Sequence, residues 1–488
     1  MKKFILIIAL SCIVTISFSQ NKTKYEIKLK INGVKDTVIY LGHHFGSKQY
    51  VVDTAKVDSK GNAVFSKDRK LDRGIYLIVL PSRGNTYFEI LVGKDSEKFS
   101  IETDTADFLT RKVKGSEENI VFYEYQKKMR EMSETITDLN QKFSQAQKNN
   151  EDLTDIRKKM QEWTEEREQY MKNLIDKHPN YFFSTVLKSM IDPKIPEAPK
   201  NENGEVIDPS FGYHYYKQHY WDNVDFSENG LLRTPIFEGK LNYFMEKVIF
   251  PAPDSLMIEC NKIIRKAYDD GDTLMFKYTC SRLLTMYDTS KIMGYDAVMV
   301  AIAEEWYLSG KAFWADTTLL HKMKERVDKI TPTKIGSVAY NLQKMQSFDE
   351  KYYSLHNIPA EYFIIIFYEP SCGHCKKEIP KLRQEYLDTL KAMGTKIFAV
   401  YTQYDKEEWL KFIEEKEIAI DGWYNVWDGP YPHSRFRDFY DIYSTPTIFI
   451  LDKDKKIIGK RLGVEQIKGF LLNNTKKLEY ENGLKQKK

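Results

Sequence analysis

Two cysteines, Cys372 and Cys375, are separated by two residues in the sequence Cys-Gly-His-Cys. They follow an unbroken apolar run, Tyr362–Tyr368, whose β-branched and aromatic residues predict a strand buried on both faces. Pro370 ends this strand because it has no amide hydrogen to give to a neighbouring strand, and the residues after Cys372 favour a helix. A cysteine pair between a buried strand and the start of a helix is suited to disulfide exchange.

The start of the helix gives the two sulfurs different chemistry. Free backbone amides and the positive end of the helix dipole favour a thiolate at Cys372. Cys375 lies within one turn, so it can attack a mixed disulfide held on Cys372. His374, when protonated, would favour the thiolate further and make the pair more oxidising. Glu378, three residues after Cys375 on the same helix face, is the candidate proton acceptor for the second thiol.

A zinc site is the competing chemistry for two cysteines at this spacing. It needs a second pair of ligands, and the sequence contains no other Cys-x-x-Cys and no His-x-His. His214 and His219 are five residues apart, not the four that would align two ligands on a helix. We therefore expect no metal, and no cofactor other than the disulfide that Cys372 and Cys375 can form.

The segment resembles thioredoxin-fold proteins, and Cys-x-x-Cys-x-x-Glu-x-Pro is similar to the signature of the TlpA/ResA-type envelope branch. The resemblance implies that Cys372 is the nucleophile, Cys375 the resolving cysteine and Glu378 the active-site carboxylate. Further along, Ser-Thr-Pro-Thr precedes an apolar strand. By the same resemblance, Thr445 and Pro446 line the substrate groove beside the dithiol, with Pro446 in the cis form.

Two features depart from the pattern of the family. Ile366 stands where thioredoxin proper has a buried aspartate, so Glu378 is the remaining candidate for proton transfer. The Gly-His pair between the cysteines resembles protein disulfide isomerases, so His374 favours an isomerase or oxidant where the TlpA/ResA-like signature favours a reductant. Peroxiredoxins share the fold, but they have a threonine three residues before the cysteine, where this chain has Glu369.

Strands and helices alternate around the motif as a thioredoxin fold requires. A hairpin is expected before the dithiol strand, in 341–353. After the dithiol helix, the expected elements are Lys396–Thr402, Lys406–Lys416, Trp423–Trp427, His433–Tyr440, the hairpin Thr447–Leu451 with Ile457–Arg461, and Ile467–Leu472. We assign the thioredoxin-like α/β domain to residues 331–476 and a basic tail to residues 477–488.

Two further domains are expected before it. Residues 20–107 contain many short alternating runs separated by turn signals such as Asn32-Gly33, which predicts an antiparallel β-sandwich. In residues 108–330 the apolar period changes to four and three. Two long runs of that period are joined by a polar loop and are interrupted only by Arg167, which predicts an all-α domain with a long helical hairpin.

Cys260 and Cys280 are nearly equidistant from a predicted turn between two helices. Each falls on the apolar face of its helix, so antiparallel packing would bring the two thiols to a similar height. A structural disulfide is one reading of this pair. Two free buried thiols are the other, because helix axes commonly lie farther apart than a disulfide allows.

The first residues have the pattern of an export signal. Two lysines precede an apolar run that ends at Phe18, and Ser17 and Ser19 supply small residues for cleavage, so residues 1–19 are expected to be a signal peptide. A lipoprotein attached at Cys12 is the alternative, but the apolar region continues past that residue. Export places the chain in the periplasm or cell envelope, where disulfides form.

The sequence thus predicts an exported thiol–disulfide oxidoreductase that acts on protein thiols and disulfides of the envelope, as a reductant, with a membrane thiol donor as its electron source. An isomerase or oxidant in the same compartment is the alternative, as is a non-catalytic binding or scaffold protein that carries a thioredoxin-like module. The 74 basic and 70 acidic residues are nearly balanced, which gives no indication of nucleic-acid binding. Nothing in the pattern indicates an oligomeric state.

Overall fold

The computed structural model describes residues 24–93, 98–429, 433–442 and 444–485. The predicted signal peptide (1–19) and Cys12 lie outside the described residues. The chain divides into two compact units, residues 1–248 and 249–488. The division falls inside the segment 108–330, so each unit contains part of that segment, and the domain bounds given above stay a prediction.

The first unit begins with eight strands. They are β1 (Tyr25–Asn32), β2 (Thr37–Phe45), β3 (Lys48–Val57), β4 (Asn62–Lys67), β5 (Gly74–Leu80), β6 (Thr86–Val92), β7 (Lys98–Asp104) and β8 (Asp107–Lys114). They form two four-stranded sheets, in the orders β4-β1-β7-β8 and β3-β2-β5-β6. Buried and exposed residues alternate along β1, as expected for a strand with one face in a core.

One strand pair and one strand differ from the expected antiparallel sandwich. β1 and β7 pair in parallel, with Ile27 opposite Phe99, which is sterically simple because a long stretch of chain joins them. β8 extends past the predicted end of the β domain at residue 107 and pairs antiparallel with β7, with Val113 opposite Ile101. Half-buried and exposed side chains alternate over most of it, but the charged Arg111 takes one of the half-buried positions, so its sequence lacks the apolar alternation that would have predicted a strand.

Five helices complete the first unit: α1 (Glu117–Lys148), α2 (Thr154–Lys177), α3 (Phe182–Ser189), α4 (Phe211–His219) and α5 (Ile236–Tyr243). α1 and α2 form the predicted helical hairpin. The Trp163 indole donates a hydrogen bond to the Met132 carbonyl oxygen over 2.9 Å, and the rings of Tyr125 and Tyr170 stack 6.5 Å apart. Arg167, the residue that interrupts the apolar seam, places its guanidinium 5.5 Å from the centre of the Trp163 ring, a favourable cation–π contact.

The second unit combines four helices with an α/β domain. The helices are α6 (Pro253–Asp269), α7 (Thr273–Asp288), α8 (Tyr295–Ile302) and α9 (Thr317–Ile330). The strands that follow are β9 (Met345–Ser347), β10 (Tyr352–Tyr353), β11 (Tyr362–Tyr368), β12 (Thr395–Tyr401), β13 (Trp423–Trp427), β14 (Thr447–Asp452) and β15 (Ile457–Lys460). Their helices are α10 (Gly373–Glu385), α11 (Lys406–Glu415), α12 (Phe436–Phe439) and α13 (Val464–Lys485). α13 continues to Lys485, across most of the segment predicted to be a basic tail.

The seven strands form one sheet in the order β10-β9-β13-β12-β11-β14-β15. β11 lies near its middle, parallel to β12 and antiparallel to β14. All seven residues of β11 are buried, as predicted. They alternate between two cores: Ile364 and Ile366 join Cys375 on one face, and Ile365 and Phe367 join Phe436 on the other. A strand packed on both faces fixes the position of the residues that follow it, at the carboxyl end of the strand.

Among the described residues, no helix is both long enough and apolar enough to cross a membrane.

Candidate active site

The dithiol lies where β11 passes into α10. Cys372 is the N-cap residue of α10, with extended backbone angles, and its sulfur accepts a hydrogen bond from the Cys375 amide over 3.5 Å. Cys372 is partly exposed, whereas Cys375 is fully buried. Both are free thiols, so the structure represents the reduced dithiol. The sequence placed these two residues correctly, at the terminus of a helix and next to a buried strand.

The surroundings of Cys372 stabilise its thiolate. Partial burial raises the pKa of Cys372, but hydrogen bonds with Cys375, with Thr445 and with the backbone amide of His374 oppose burial and hold the pKa below its ordinary value. Amides at a helix start favour negative charge, because they have no partners within the helix. Cys372 is therefore the sulfur suited to nucleophilic attack.

Cys375 has the opposite environment. Burial raises its pKa to about 12, and the neighbouring Cys372 sulfur adds to the rise, although the backbone of Glu369 and the side chain of Thr445 oppose it. Ile366, which replaces the aspartate of thioredoxin, is fully buried in the same core as Cys375. The second thiol thus stays protonated until a base takes its proton.

Thr445 and Pro446 lie beside the dithiol, where the resemblance placed them. The bond between them is cis, and Thr447, the next residue, pairs with Phe367 of β11. The Cys372 thiol donates a hydrogen bond to the Thr445 carbonyl oxygen over 3.1 Å. The pairing of β14 with β11 is what brings these two stretches of chain together.

Two cavities adjoin Pro446. One has a volume of about 340 Å³ and includes Asp441 in its wall. The other, of about 530 Å³, reaches His374 and Glu378. Both share Arg461 in their walls. We refer to the two cavities together as the Pro446 groove; its position beside the exposed sulfur suits a chain that carries a disulfide.

Glu378 and His374 both line the larger cavity. The Glu378 carboxylate pairs with Lys381 over 2.7 Å and is mostly buried. The groups that form hydrogen bonds with the Cys375 sulfur belong instead to Glu369, Cys372 and Thr445. The structure thus brings Glu378 to the groove, and its role as proton acceptor for Cys375 stays a prediction. His374 is exposed between the two cysteines and contributes its backbone amide to Cys372.

Sequence reasoning missed a second carboxylate near the dithiol. The backbone of Glu369 contacts the Cys375 sulfur, and its carboxylate accepts a hydrogen bond from the Thr402 hydroxyl over 3.0 Å. Just before it, Tyr368 is completely buried and accepts a hydrogen bond from the Trp409 indole over 2.8 Å. The signal that could have identified Glu369 is its position, a charged residue directly after a wholly apolar strand. In the sequence, Glu369 served only as evidence against a peroxiredoxin.

Cys260 and Cys280 are not joined in this structure. Each is a buried free thiol, and the two form hydrogen bonds with different partners, Cys260 with Tyr287 and Cys280 with Tyr307. Burial raises the pKa of both, that of Cys280 to about 12. The structure shows the second of the two readings given above, two separate buried thiols, with each sulfur directed to its own tyrosine.

In the part of the chain that the structure describes, no group of three or more His, Cys, Asp or Glu side chains could hold a metal ion.

Comparison with known proteins places the dithiol in a family. Residues 335–460 match the AhpC/TSA family. The chain is 26% identical over 145 residues to the thiol-disulfide oxidoreductase ResA of Bacillus cereus, a match that covers 28% of this chain and 76% of that protein. It is also 40% identical to a crystallised domain of a possible thiol-disulfide isomerase from Cytophaga hutchinsonii ATCC 33406, covering 30% of this chain and 96% of that domain, with a TM-score of 0.28.

The C-terminal part of the chain is a TlpA/ResA-like thioredoxin-fold domain. With this domain the protein is a thioredoxin-like thiol–disulfide oxidoreductase. A thioredoxin-like protein from Bacteroides caccae ATCC 43185 matches a longer stretch, 57% of this chain and 97% of that chain, at 18% identity and a TM-score of 0.44. Upstream of the thioredoxin-fold domain, residues 25–122 and 159–331 match two domains of unknown function, DUF4369 and DUF5106.

Proposed function

We propose that the protein is an exported reductant, which transfers electrons from the Cys372–Cys375 dithiol to disulfides in proteins of the cell envelope. The observation that carries the exchange activity is the difference between the two sulfurs, and the reducing direction rests on the TlpA/ResA-like signature. Cys372 is partly exposed and its pKa is lowered, whereas Cys375 is buried and its pKa is raised. One sulfur is thus suited to attack a client, and the other to act only afterwards.

The reaction proceeds in two exchanges. The Cys372 thiolate attacks one sulfur of the client disulfide, forms a mixed disulfide and releases the first client thiolate. Cys375 then loses its proton and attacks the Cys372 sulfur. The second client thiolate leaves, and a Cys372–Cys375 disulfide remains. Two electrons pass from the dithiol to the client, and each client thiolate takes up a proton.

Residues around the dithiol have separate roles in this proposal. The Glu378 carboxylate first separates from its ion-pair partner Lys381 and then accepts the proton of Cys375. The Pro446 groove, with Thr445 at its edge, holds the client chain beside Cys372. His374 favours the Cys372 thiolate. No cofactor other than the dithiol takes part.

The cellular setting follows from the sequence alone. The apolar leader, residues 1–19, would direct the chain to the periplasm or cell envelope, where client disulfides form. A reductant in such a compartment needs electrons from elsewhere, so a membrane thiol donor would convert the Cys372–Cys375 disulfide back to the dithiol.

An oxidant or isomerase in the same compartment is the second candidate, and one observation favours it. A lowered pKa of Cys372 stabilises the reduced form, which makes the disulfide form more oxidising. The reduction potential, measured by equilibration with glutathione, separates the two directions. We expect a value near that of thioredoxin, about −270 mV; a value near about −120 mV would show that the protein is an oxidant.

Reduction of insulin disulfides tests the proposed activity itself. We expect turnover by the wild-type protein and none by Cys372→Ser, because the nucleophilic sulfur is lost. Cys260→Ala is the matched control, since it removes a thiol that lies outside the dithiol, and it should retain turnover. Equal and absent activity in wild type and Cys372→Ser would support the alternative of a non-catalytic binding or scaffold protein.

A further inference from the structure

Two consecutive basic residues tie the end of β15 to helices outside the thioredoxin fold. Lys460, the last residue of β15, is almost completely buried. Its amine forms an ion pair with Asp296 of α8 and donates a hydrogen bond to the carbonyl oxygen of Thr333 over 2.9 Å. Its backbone amide also contacts the sulfur of Met293. The end of β15 is therefore fastened to the helical segment that precedes the thioredoxin-fold domain.

Arg461, the next residue, is linked to the helices by a separate set of ion pairs. Its guanidinium pairs with Asp441 over 2.5 Å. The same carboxylate oxygen accepts an ion pair from Arg326 of α9 over 3.4 Å, and the Asp441 side chain is only 4% exposed. Arg326 also reaches Asp288, at the end of α7, over 3.5 Å. A buried carboxylate between two guanidiniums restricts the positions of both side chains.

Arg461 belongs to the wall of the Pro446 groove. It lines both cavities, and its side chain is 46% exposed. Asp441 lines the smaller cavity. Arg326, by contrast, is absent from the walls of both cavities. A residue of α9 that does not line the groove thus contacts, through Asp441, a residue that does.

We propose that Arg326 is a positioning residue for client binding: through Asp441 it holds Arg461 in the groove wall, so that the helical segment helps the thioredoxin-fold domain to bind protein clients. This inference rests on the proposed function. In a protein client, the residues on both sides of the disulfide must fit into the Pro446 groove. The affinity for such a client therefore depends on the residues that line the groove, including Arg461. A small disulfide needs only the Cys372 sulfur. Loss of a contact made to the client and not to the sulfur changes the half-saturating concentration rather than the maximal rate.

The test compares two disulfides in single turnover with the full-length, reduced protein. Insulin serves as the protein client, and a small aromatic disulfide that releases a coloured thiolate serves as the second substrate. We expect Arg326→Gln to raise the half-saturating insulin concentration by about fivefold, as expected for the loss of a charged contact. The maximal rate of Arg326→Gln with insulin, and its rate constant with the small disulfide, should stay within about twofold of wild type. A difference of that size is too small to reflect a lost contact. Arg326→Lys, which keeps the charge, should restore part of the insulin affinity.

Two further variants separate positioning from a general loss of structure. Lys322→Gln removes an exposed charge from the same helix and should leave both substrates unaffected. Arg461→Gln should raise the half-saturating insulin concentration as Arg326→Gln does. The two changes combined should be less than additive, because both act on one carboxylate.

Failure of this inference and failure of the proposed function give different results. An unchanged half-saturating insulin concentration in Arg326→Gln, or equal losses with both substrates, would overturn the inference while the proposed function stands. Full additivity with Arg461→Gln would overturn it as well. Wild-type protein that reduces neither disulfide would overturn the proposed function, and this inference with it.

Discussion

The Cys372 thiol donates a hydrogen bond to the carbonyl oxygen of Thr445 over 3.1 Å, so the exposed sulfur lies against the backbone that precedes Pro446. A client disulfide that reaches Cys372 therefore also meets this backbone and the groove beyond it. The same hydrogen bond would end when Cys372 forms a mixed disulfide, which frees the Thr445 carbonyl to accept a hydrogen bond from the client chain. In the proposed reaction, attack and client binding would thus be coupled through two residues that are 73 positions apart in the sequence.

Alkylation of Cys372 should begin at lower pH than alkylation of an ordinary thiol. The pKa of Cys372 is lowered, so its reactive thiolate becomes populated as the pH rises through a value below the ordinary range, whereas Cys375 has a pKa of about 12 and stays protonated. The measurement is the rate of reaction of the reduced protein with iodoacetamide as a function of pH, with the modified residue identified by mass spectrometry. Faster modification of Cys375 than of Cys372 would contradict the assignment.

The variant Glu378→Gln should slow the second exchange by about a hundredfold, the lower end of what a positioned base contributes. An amide cannot accept the proton that Cys375 must lose, and burial makes that proton hard to remove. Rapid mixing with a client disulfide would follow the decay of the mixed disulfide. Lys381→Gln, which removes only the partner of the carboxylate, is the control and should not slow the step. An unchanged rate in Glu378→Gln would assign the proton to another group, with Glu369 the nearest candidate.

Air oxidation should join Cys372 to Cys375 and leave Cys260 and Cys280 as thiols. Cys260 and Cys280 are buried and hydrogen-bonded to separate tyrosines, and burial raises the pKa of each. Alkylation of the oxidised protein under denaturing conditions, followed by peptide mapping, should find these two residues modified. Recovery of a peptide pair linked through Cys260 and Cys280 would refute the expectation.

The variant Asp296→Ala should destabilise the second unit by about 3–5 kcal/mol, because it leaves the buried Lys460 amine without its carboxylate. The Lys460 side chain is only 4% exposed, and this burial lowers its pKa. Lys460→Met should destabilise as well, since it leaves the Asp296 carboxylate without its amine, whereas the double variant Asp296→Ala/Lys460→Met leaves no charge to be paired. Denaturant unfolding followed by tryptophan fluorescence measures the free energies of unfolding. The double variant should be more stable than Asp296→Ala alone, and the opposite order would be evidence against a buried ion pair.

Local patterns in the sequence were sufficient to predict the dithiol and its surroundings. The unbroken apolar run of β11 and the cysteine spacing placed Cys372 at a helix start. The helical hairpin followed from the apolar period of its two runs. Each of these features depends on residues that are close together in the sequence, where periodicity is informative.

Contacts between distant residues were the ones that the sequence did not predict. Arg326 and Asp441 are 115 positions apart, and no local pattern links one to the other. The parallel pairing of β1 with β7 is a similar case, because register between distant strands depends on the packing of the whole sheet. β8 was missed because a charged residue, Arg111, occupies one of its half-buried positions and interrupts the apolar alternation.

The unequal depth of the two sulfurs also bears on damage by peroxides. A peroxide can reach Cys372, where the first product is a sulfenic acid. Cys375, buried one turn away, lies where its thiol can condense with that acid, expel water and close the ordinary disulfide before oxidation proceeds to the irreversible sulfinic state. The arrangement that serves exchange thus also returns an oxidised enzyme to its normal cycle.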